Sequence, residues 1–251
     1  MKFCLSLLLL ATSASAQPEK RIVGGSTAAL KQFPYQVSVQ TSSHRCGGSI
    51  IDLSHVLTAA QCVDGLQASR IRVRAGSSQH SSGGKLVNVA KVIQHPDFDN
   101  ETLKNDIAVL VLQHNLEFGA SVSAVKLPSS EVDTPAIGAK CSITGWGTTS
   151  YGGNIYPTNL LVSYLNIVDH EVCAKDYSAR RNIDDSMICA GVSAGGKGAC
   201  DGDTGGPLVE ESSTKQVGIF SRSHGCGQAA YPGIYTSTAA HSAWIREAIS
   251  P

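Results

Sequence analysis

The chain has 251 residues, and 20 Lys plus Arg balance 20 Asp plus Glu, for a formal net charge of zero. That neutrality leaves no electrostatic footprint for nucleic acid or for an anionic membrane surface. Charged residues are 16% and hydrophobic residues 42%, with 25 glycines, a composition that excludes disorder and suits a turn-rich domain with a real core.

The apolar run 3–11 is too short to span a bilayer. Lys2 before it and Ala14-Ser15-Ala16 after it predict a secretory signal peptide over residues 1–16. Export means oxidising conditions, so the cysteines are expected to pair. Cys4 leaves with the signal. Cys46, Cys62, Cys141, Cys173, Cys189, Cys200 and Cys226 remain, an odd set that strands at least one thiol. Their spacing suits no zinc site, and no metal or cofactor is expected.

Tyr35-Gln36-Val37-Ser38-Val39-Gln40 and Ile71-Arg72-Val73-Arg74 alternate with period two, and residues 107–112 read as a strand buried on both faces. Gly83-Gly84, Ser129-Ser130, Gly152-Gly153-Asn154 and Gly195-Gly196 break such runs. Many short strands with regular turns predict an all-β sandwich or barrel. The stretch 127–138, with Pro128 and Pro135, reads as a linker between two β units. Only the end looks helical, where Ala240, Trp244, Ile245 and Ala248 share one face.

Four motifs fall in order: Arg21-Ile22-Val23-Gly24-Gly25, Leu57-Thr58-Ala59-Ala60-Gln61-Cys62, Asn105-Asp106-Ile107-Ala108-Val109-Leu110 and Gly202-Asp203-Thr204-Gly205-Gly206-Pro207. With Gly145-Trp146-Gly147 and Tyr231-Pro232-Gly233-Ile234-Tyr235, they resemble the chymotrypsin/trypsin-like serine endopeptidases from Ile22 to the C-terminus. The resemblance implies two six-stranded Greek-key β-barrels with a cleft between them and a C-terminal helix. The barrels would span about 22–128 and 129–251, after a short propeptide at 17–21.

The departures bear on chemistry. Such an enzyme needs a nucleophile, a base and a carboxylate that orients the base. By the resemblance, the His falls on Gln61, the Ser on Thr204, and only the carboxylate survives, as Asp106. An amide is no base near neutral pH. Thr204 keeps a hydroxyl but adds a β-methyl, and an unactivated alcohol is a weak nucleophile. Losing triad function costs on the order of 10⁶-fold in rate. Asp106 then reads as a buried residue held for its hydrogen bonds. Of the remaining histidines, His44 lies nearest the cleft in sequence and reads as a surface or structural residue. Gly202 occupies the oxyanion-hole position.

The specificity pocket differs too. By the resemblance, Gly198 stands where trypsin-like members carry Asp, the opposite wall has Ser221-Arg222-Ser223 where Ser-Trp-Gly is usual, and Gly233 is a further pocket position. Arg222 places a cation at the pocket entrance, which disfavours Arg and Lys side chains of a substrate.

The resemblance keeps the activation parts. A trypsin-like activator would cut after Arg21, and the new Ile22 amino group would pair with Asp203. It implies bridges Cys46–Cys62, Cys173–Cys189 and Cys200–Cys226. The usual partner position of Cys141 holds Glu210, so Cys141 is the expected odd thiol. Asn100-Glu101-Thr102 is a glycosylation sequon near the cleft rim. The stretch 77–85, where some relatives bind calcium, has no carboxylate.

Ser42-Ser43-His44-Arg45-Cys46-Gly47-Gly48, Ser186-Met187-Ile188-Cys189 and Gly195-Gly196-Lys197 are similar to the mite group 3 trypsin-like allergens. The lost triad residues resemble the inactivated scabies-mite paralogues of that group. That resemblance implies a secreted, catalytically inactive homologue that binds a protein ligand such as a host complement component. The alternative is a weak endopeptidase that uses Thr204.

Overall fold

The computed structural model describes residues 23–180 and 182–250. The expected signal peptide and propeptide, with Arg21 and Ile22, lie outside the described residues.

A two-residue strand, β1 (Ser26–Thr27), opens the described chain. Six strands follow: β2 (Gln36–Gln40), β3 (His44–Ile50), β4 (His55–Thr58), β5 (Arg72–Ala75), β6 (Lys85–Gln94) and β7 (Ala108–Leu112). They close into an antiparallel barrel in the order β2-β3-β4-β7-β6-β5, as β5 returns to pair with β2. Val37, Ile50, Val56, Leu57, Ile71, Val73, Val109 and Leu110 fill it and are fully buried. β5 shows the expected alternation of buried and half-buried residues. β2 does not, because all five of its residues are buried. Its second face lies under other protein rather than water, so Gln36, Ser38 and Gln40 need internal partners. Gln36 Oε1 accepts from Thr144 Oγ1 at 2.5 Å, Ser38 Oγ lies 2.8 Å from His44 Nδ1, and Gln40 Nε2 donates to Ser38 Oγ at 2.9 Å.

The second set is β8 (Lys140–Gly145), β9 (Leu161–Val168), β10 (Met187–Gly191), β11 (Pro207–Glu210), β12 (Gln216–Arg222) and β13 (Gly233–Ser237). β8 pairs with both β9 and β11, which closes a second antiparallel ring, β8-β9-β10-β13-β12-β11, while β1 adds to β9. The two closed six-stranded barrels are the fold implied by the sequence. The expected linker 127–138 lies between them, held by a Lys215 Nζ–Asp133 Oδ2 ion pair at 2.7 Å. In the C-terminal helix α2 (Ser242–Ala248), the second α-helix of the described chain, Ile245 packs into the core of the first barrel. The last segment of the chain thus fastens the two halves together.

Helix α1 (His170–Tyr177) was not expected. It has eight residues, and only Cys173 and Tyr177, one turn apart, are buried, so its periodic signal is weak. Asp169 caps it by accepting from Val172 N at 3.0 Å. The Cys173–Cys189 bridge and a 2.7 Å bond from Tyr177 Oη to the Pro232 carbonyl hold it to the barrel.

The bridges Cys46–Cys62, Cys173–Cys189 and Cys200–Cys226 are all formed. Cys141 is free and fully buried, and burial pushes its thiol up to about 12. A thiol so placed is inert at neutral pH and has no access to a second chain. Cys141 stands directly opposite Glu210 in the β8–β11 ladder, at a pair flanked by the Glu211 N to Lys140 O bond. Such non-hydrogen-bonded pairs bring side chains closest. Glu210→Cys is therefore expected to form a fourth bridge with Cys141 and to stabilise the fold by up to roughly 4 kcal/mol for a loop of this length. Non-reducing peptide mapping and thermal melting check it, and a persistent free Cys141 in that variant would refute the alignment of the pair.

Candidate active site

The two barrels meet along one seam, and the expected site residues collect there. Gly47 N on β3 donates to the Thr204 carbonyl at 2.8 Å, and Ser49 Oγ donates to Gln216 Oε1 at 2.6 Å. A Cβ on Gly47 would lie 2.8 Å from Gly206 Cα, so the backbones could not approach this closely with any other residue.

Asp106 precedes β7 and is fully buried. Its carboxylate accepts from Gln61 N at 2.9 Å, Gln61 Nε2 at 2.5 Å and Ser221 Oγ at 2.7 Å. Burial raises its pKa, while these hydrogen bonds and the nearby Arg222 oppose the shift. Gln61 Nε2 also lies 3.0 Å from the Ser221 carbonyl. Both N–H donors of Gln61 thus point at Asp106, and the carboxylate is held by one backbone and two side-chain hydrogen bonds. Ser221, expected in the specificity pocket, lines the smaller of the two cleft cavities and also donates to this cluster.

Thr204 is half-buried, and its hydroxyl makes no hydrogen bond among the described residues. Gln61 and Thr204 together separate two cavities. One, of about 370 Å³, is lined by His44, Arg45, Tyr156 and the Cys46–Cys62 bridge. The other, of about 200 Å³, is lined by Tyr151, Asp201, Phe220, Arg222 and Ser223. Gly202 sits at φ +94°, a backbone state that favours glycine, and a Cβ there would meet the Tyr156 ring at 2.5 Å. His44 is buried, with Nδ1 on Ser38 Oγ and Nε2 3.0 Å from the Gly202 carbonyl. Burial lowers its pKa to about 4. Both ring nitrogens are engaged, so His44 is structural and cannot serve as the missing base.

The specificity positions divide. Gly198 packs against Gly227, whose backbone N would lie 3.0 Å from an added Cβ, and Gly233 makes room for the Tyr235 ring. Ser223 Oγ donates to the Gly225 carbonyl at 2.5 Å. Arg222 lines the smaller cavity, but its guanidinium reaches across the seam to the Thr102 carbonyl. The cation at the entrance is thus fastened to the first barrel rather than pointing into solvent.

Asp203 is buried beneath this loop. Its carboxylate accepts from Gly147 N at 2.7 Å and from Cys200 N at 3.0 Å. A Cβ on Gly145 or Gly147 would fall 2.1 or 2.2 Å from its oxygens, which explains why glycine flanks Trp146 on both sides. With no cation against it among the described residues, burial pushes Asp203 up to about 7.

Sequence reasoning missed Tyr151, Tyr156 and Asp201 as cleft residues. The two tyrosines lie in the aperiodic, Gly-rich connection between β8 and β9 and carry no positional signal. Asp201 did carry one, since it adjoins Gly202, and its Oδ2 accepts from Gly152 N at 3.1 Å. Asn105 and His241 were also missed. Asn105, at φ +53°, ties the Asp106 segment to His241 Nε2 at 3.1 Å.

The family model described as Trypsin matches residues 22–245. The chain is 42% identical over 231 residues to "Trypsin Blo t 3" of Blomia tropicalis, covering 91% of this chain and 86% of the mite protein. It is also 42% identical to "Trypsin delta" and "Trypsin gamma" of Drosophila melanogaster, covering 91% of this chain and 88% of each. These relatives carry the name of the enzyme. They overturn the expectation of an inactive homologue that works by binding a host-defence protein, and the endopeptidase alternative fits them better. The geometry agrees in one physical respect, since a hydroxyl remains open to the cleft beside the glycine at the oxyanion position.

Asp203 also yields a pH test. Its folded pKa of about 7 exceeds the ordinary carboxylate value near 4, so between these values the folded chain holds a proton that the unfolded chain releases. Stability of the uncut chain is full below that window and falls as pH rises through it, by roughly 4 kcal/mol in all. Cutting after Arg21 is expected to supply the Ile22 ammonium and abolish this decline. Melting temperatures of the uncut and cut forms across this range check it, and parallel profiles would refute the pairing.

Proposed function

The chain belongs to the trypsin family, and we propose that it is a secreted endopeptidase of residual activity with Thr204 as nucleophile. The observation that carries this reading is the Thr204 hydroxyl, which lies between the two cavities and is not tied down by a hydrogen bond among the described residues. Thr204 Oγ1 attacks the scissile carbonyl, and N–H groups of the 202–204 loop steady the developing oxyanion. The hydroxyl proton passes to water, because the Gln61 amide cannot accept it; water returns a proton to the amine as the C–N bond breaks, and a second water hydrolyses the Thr204 ester to release the acid and regenerate the hydroxyl. Turnover is therefore lower than that of a complete triad by a factor on the order of 10⁴–10⁶.

The substrate is a polypeptide laid across the two cavities. Selection for Arg or Lys is weak, since Gly198 offers no carboxylate and the Arg222 cation stands at the smaller cavity. A trypsin-like protease cutting at Lys20-Arg21 is the activator. Three disulfide bridges support export to an oxidising compartment. The likeness to the mite protein supports kinship with the group 3 allergens. The finer tie to the inactivated scabies-mite paralogues rests on Gln61 and Thr204 alone.

A fluorogenic peptide panel on the cut protein tests the reading. Slow turnover is expected that Thr204→Ala abolishes. Gln61→His combined with Thr204→Ser is expected to raise it by at least about 10²-fold, consistent with the usual contribution of a positioned base. Peptides with Arg or Lys at the cleavage site are expected to remain poor substrates in that variant. Turnover no greater than that of Thr204→Ala would show that the two exchanges silence the chain and would overturn the reading.

A further inference from the structure

The loop that joins β6 to β7 carries the Asn100-Glu101-Thr102 sequon, and all three residues are exposed. The loop is ordered by its own hydrogen bonds. Asp99 Oδ1 accepts from Glu101 N at 2.8 Å and Thr102 N at 3.1 Å, while Leu103 N donates to the Asp99 carbonyl at 2.7 Å. It is also tied to the second barrel at two points. The Arg222 guanidinium donates to the Thr102 carbonyl, and Lys104 Nζ pairs with Asp184 Oδ2 at 3.7 Å. Arg222 is itself a wall of the cavity that holds Gln61 and Thr204. Asn100, two residues from Thr102, lies within about 7 Å of that tie. Asn100 therefore stands near the outer rim of the cleft, on a loop tied to that side of it.

We propose that Asn100 is N-glycosylated and that its glycan roofs this side of the cleft, admitting short peptides and excluding folded proteins. The side-chain amide Nδ2 displaces diphosphate from C1 of an oligosaccharide carried on a polyprenyl diphosphate. An N–C bond forms as the sugar–oxygen bond breaks, the amide proton leaves with the diphosphate group, and nothing is oxidised. The attached oligosaccharide is bulky and solvated, and it is large beside a cavity of about 200 Å³. The inference rests on the secretion and cleft assigned above, but two of its three readouts require no turnover.

The full chain secreted from insect cells is the material for the test. Intact mass before and after peptide-N-glycosidase F is expected to show one glycan, lost in Asn100→Gln and Thr102→Ala and kept in Thr102→Ser. A secreted wild-type chain without sugar overturns the site. Nicking by added bovine trypsin after Lys104 reads the shielding. It is expected to be about tenfold faster in Asn100→Gln and Thr102→Ala than in the glycosylated chain, since an exposed loop is cut in proportion to its accessibility. Equal nicking rates in glycosylated and unglycosylated chains overturn the roof. Where turnover is measurable, the ratio of casein to tripeptide-amide cleavage is expected to rise by a similar factor without the glycan, and an unchanged ratio likewise overturns the roof.

Discussion

The carboxylate of Asp106 is the joint on which the two barrels turn. It comes from the first barrel, yet one of its three donors, Ser221 Oγ, belongs to β12 of the second, and Thr236 Oγ1 on β13 donates to its backbone carbonyl at 2.9 Å. A buried carboxylate without donors would carry a penalty of several kcal/mol. The cluster therefore ties barrel position to the satisfaction of one charge. Everything that forms the cleft depends on that register, including the approach of Gly47 to the 203–206 loop and the reach of Arg222 to Thr102.

The second buried carboxylate works differently. Asp203 has two backbone donors and no cation among the described residues, and the glycines on either side of Trp146 exist to let its oxygens in. Its carboxylate lies beneath the loop that carries Gly202 and Thr204, and burial pushes it up to about 7. Asp106 thus draws its donors from both sides of the seam, whereas Asp203 draws its donors from the backbone beneath the loop that holds Gly202 and Thr204. Two acids of the same chemistry divide the work through the donors each one finds.

Strand content, the linker and the C-terminal helix were legible because alternation, turn residues and a helical face leave direct marks in the sequence, while the two barrels were legible only as what the family resemblance implies. The three bridges and the place of Asp106 were likewise legible only as what the resemblance implies. Helix α1 was not, because a short helix fixed by Cys173 and Tyr177 shows almost no periodicity. The full burial of β2 was not, because alternation reports one covered face and cannot report that a second barrel covers the other. Ser221 and Arg222 do line the smaller cavity, but the bonds of Ser221 to Asp106 and of Arg222 to Thr102 were not legible, since spacing gives an address but not a direction. The tyrosines at 151 and 156 were invisible for a related reason: an aperiodic loop reveals where it goes only when folded.

The same distinction explains how Gln61 is tolerated. An imidazole in this place has two tasks, donating one N–H to the carboxylate and taking a proton from the nucleophile on its other nitrogen. The Gln61 amide performs the first with Nε2, at 2.5 Å from Asp106 Oδ2, and also contacts the Ser221 carbonyl. For the second it has only a carbonyl oxygen, whose basicity is negligible at neutral pH. The structural half of the role survives the exchange and the chemical half does not. Because stability draws on the donor and catalysis on the acceptor, the seam stays closed around Asp106 while the Thr204 hydroxyl is left without a base. The seam around Asp106 therefore survives a change that removes the proton acceptor from the same position.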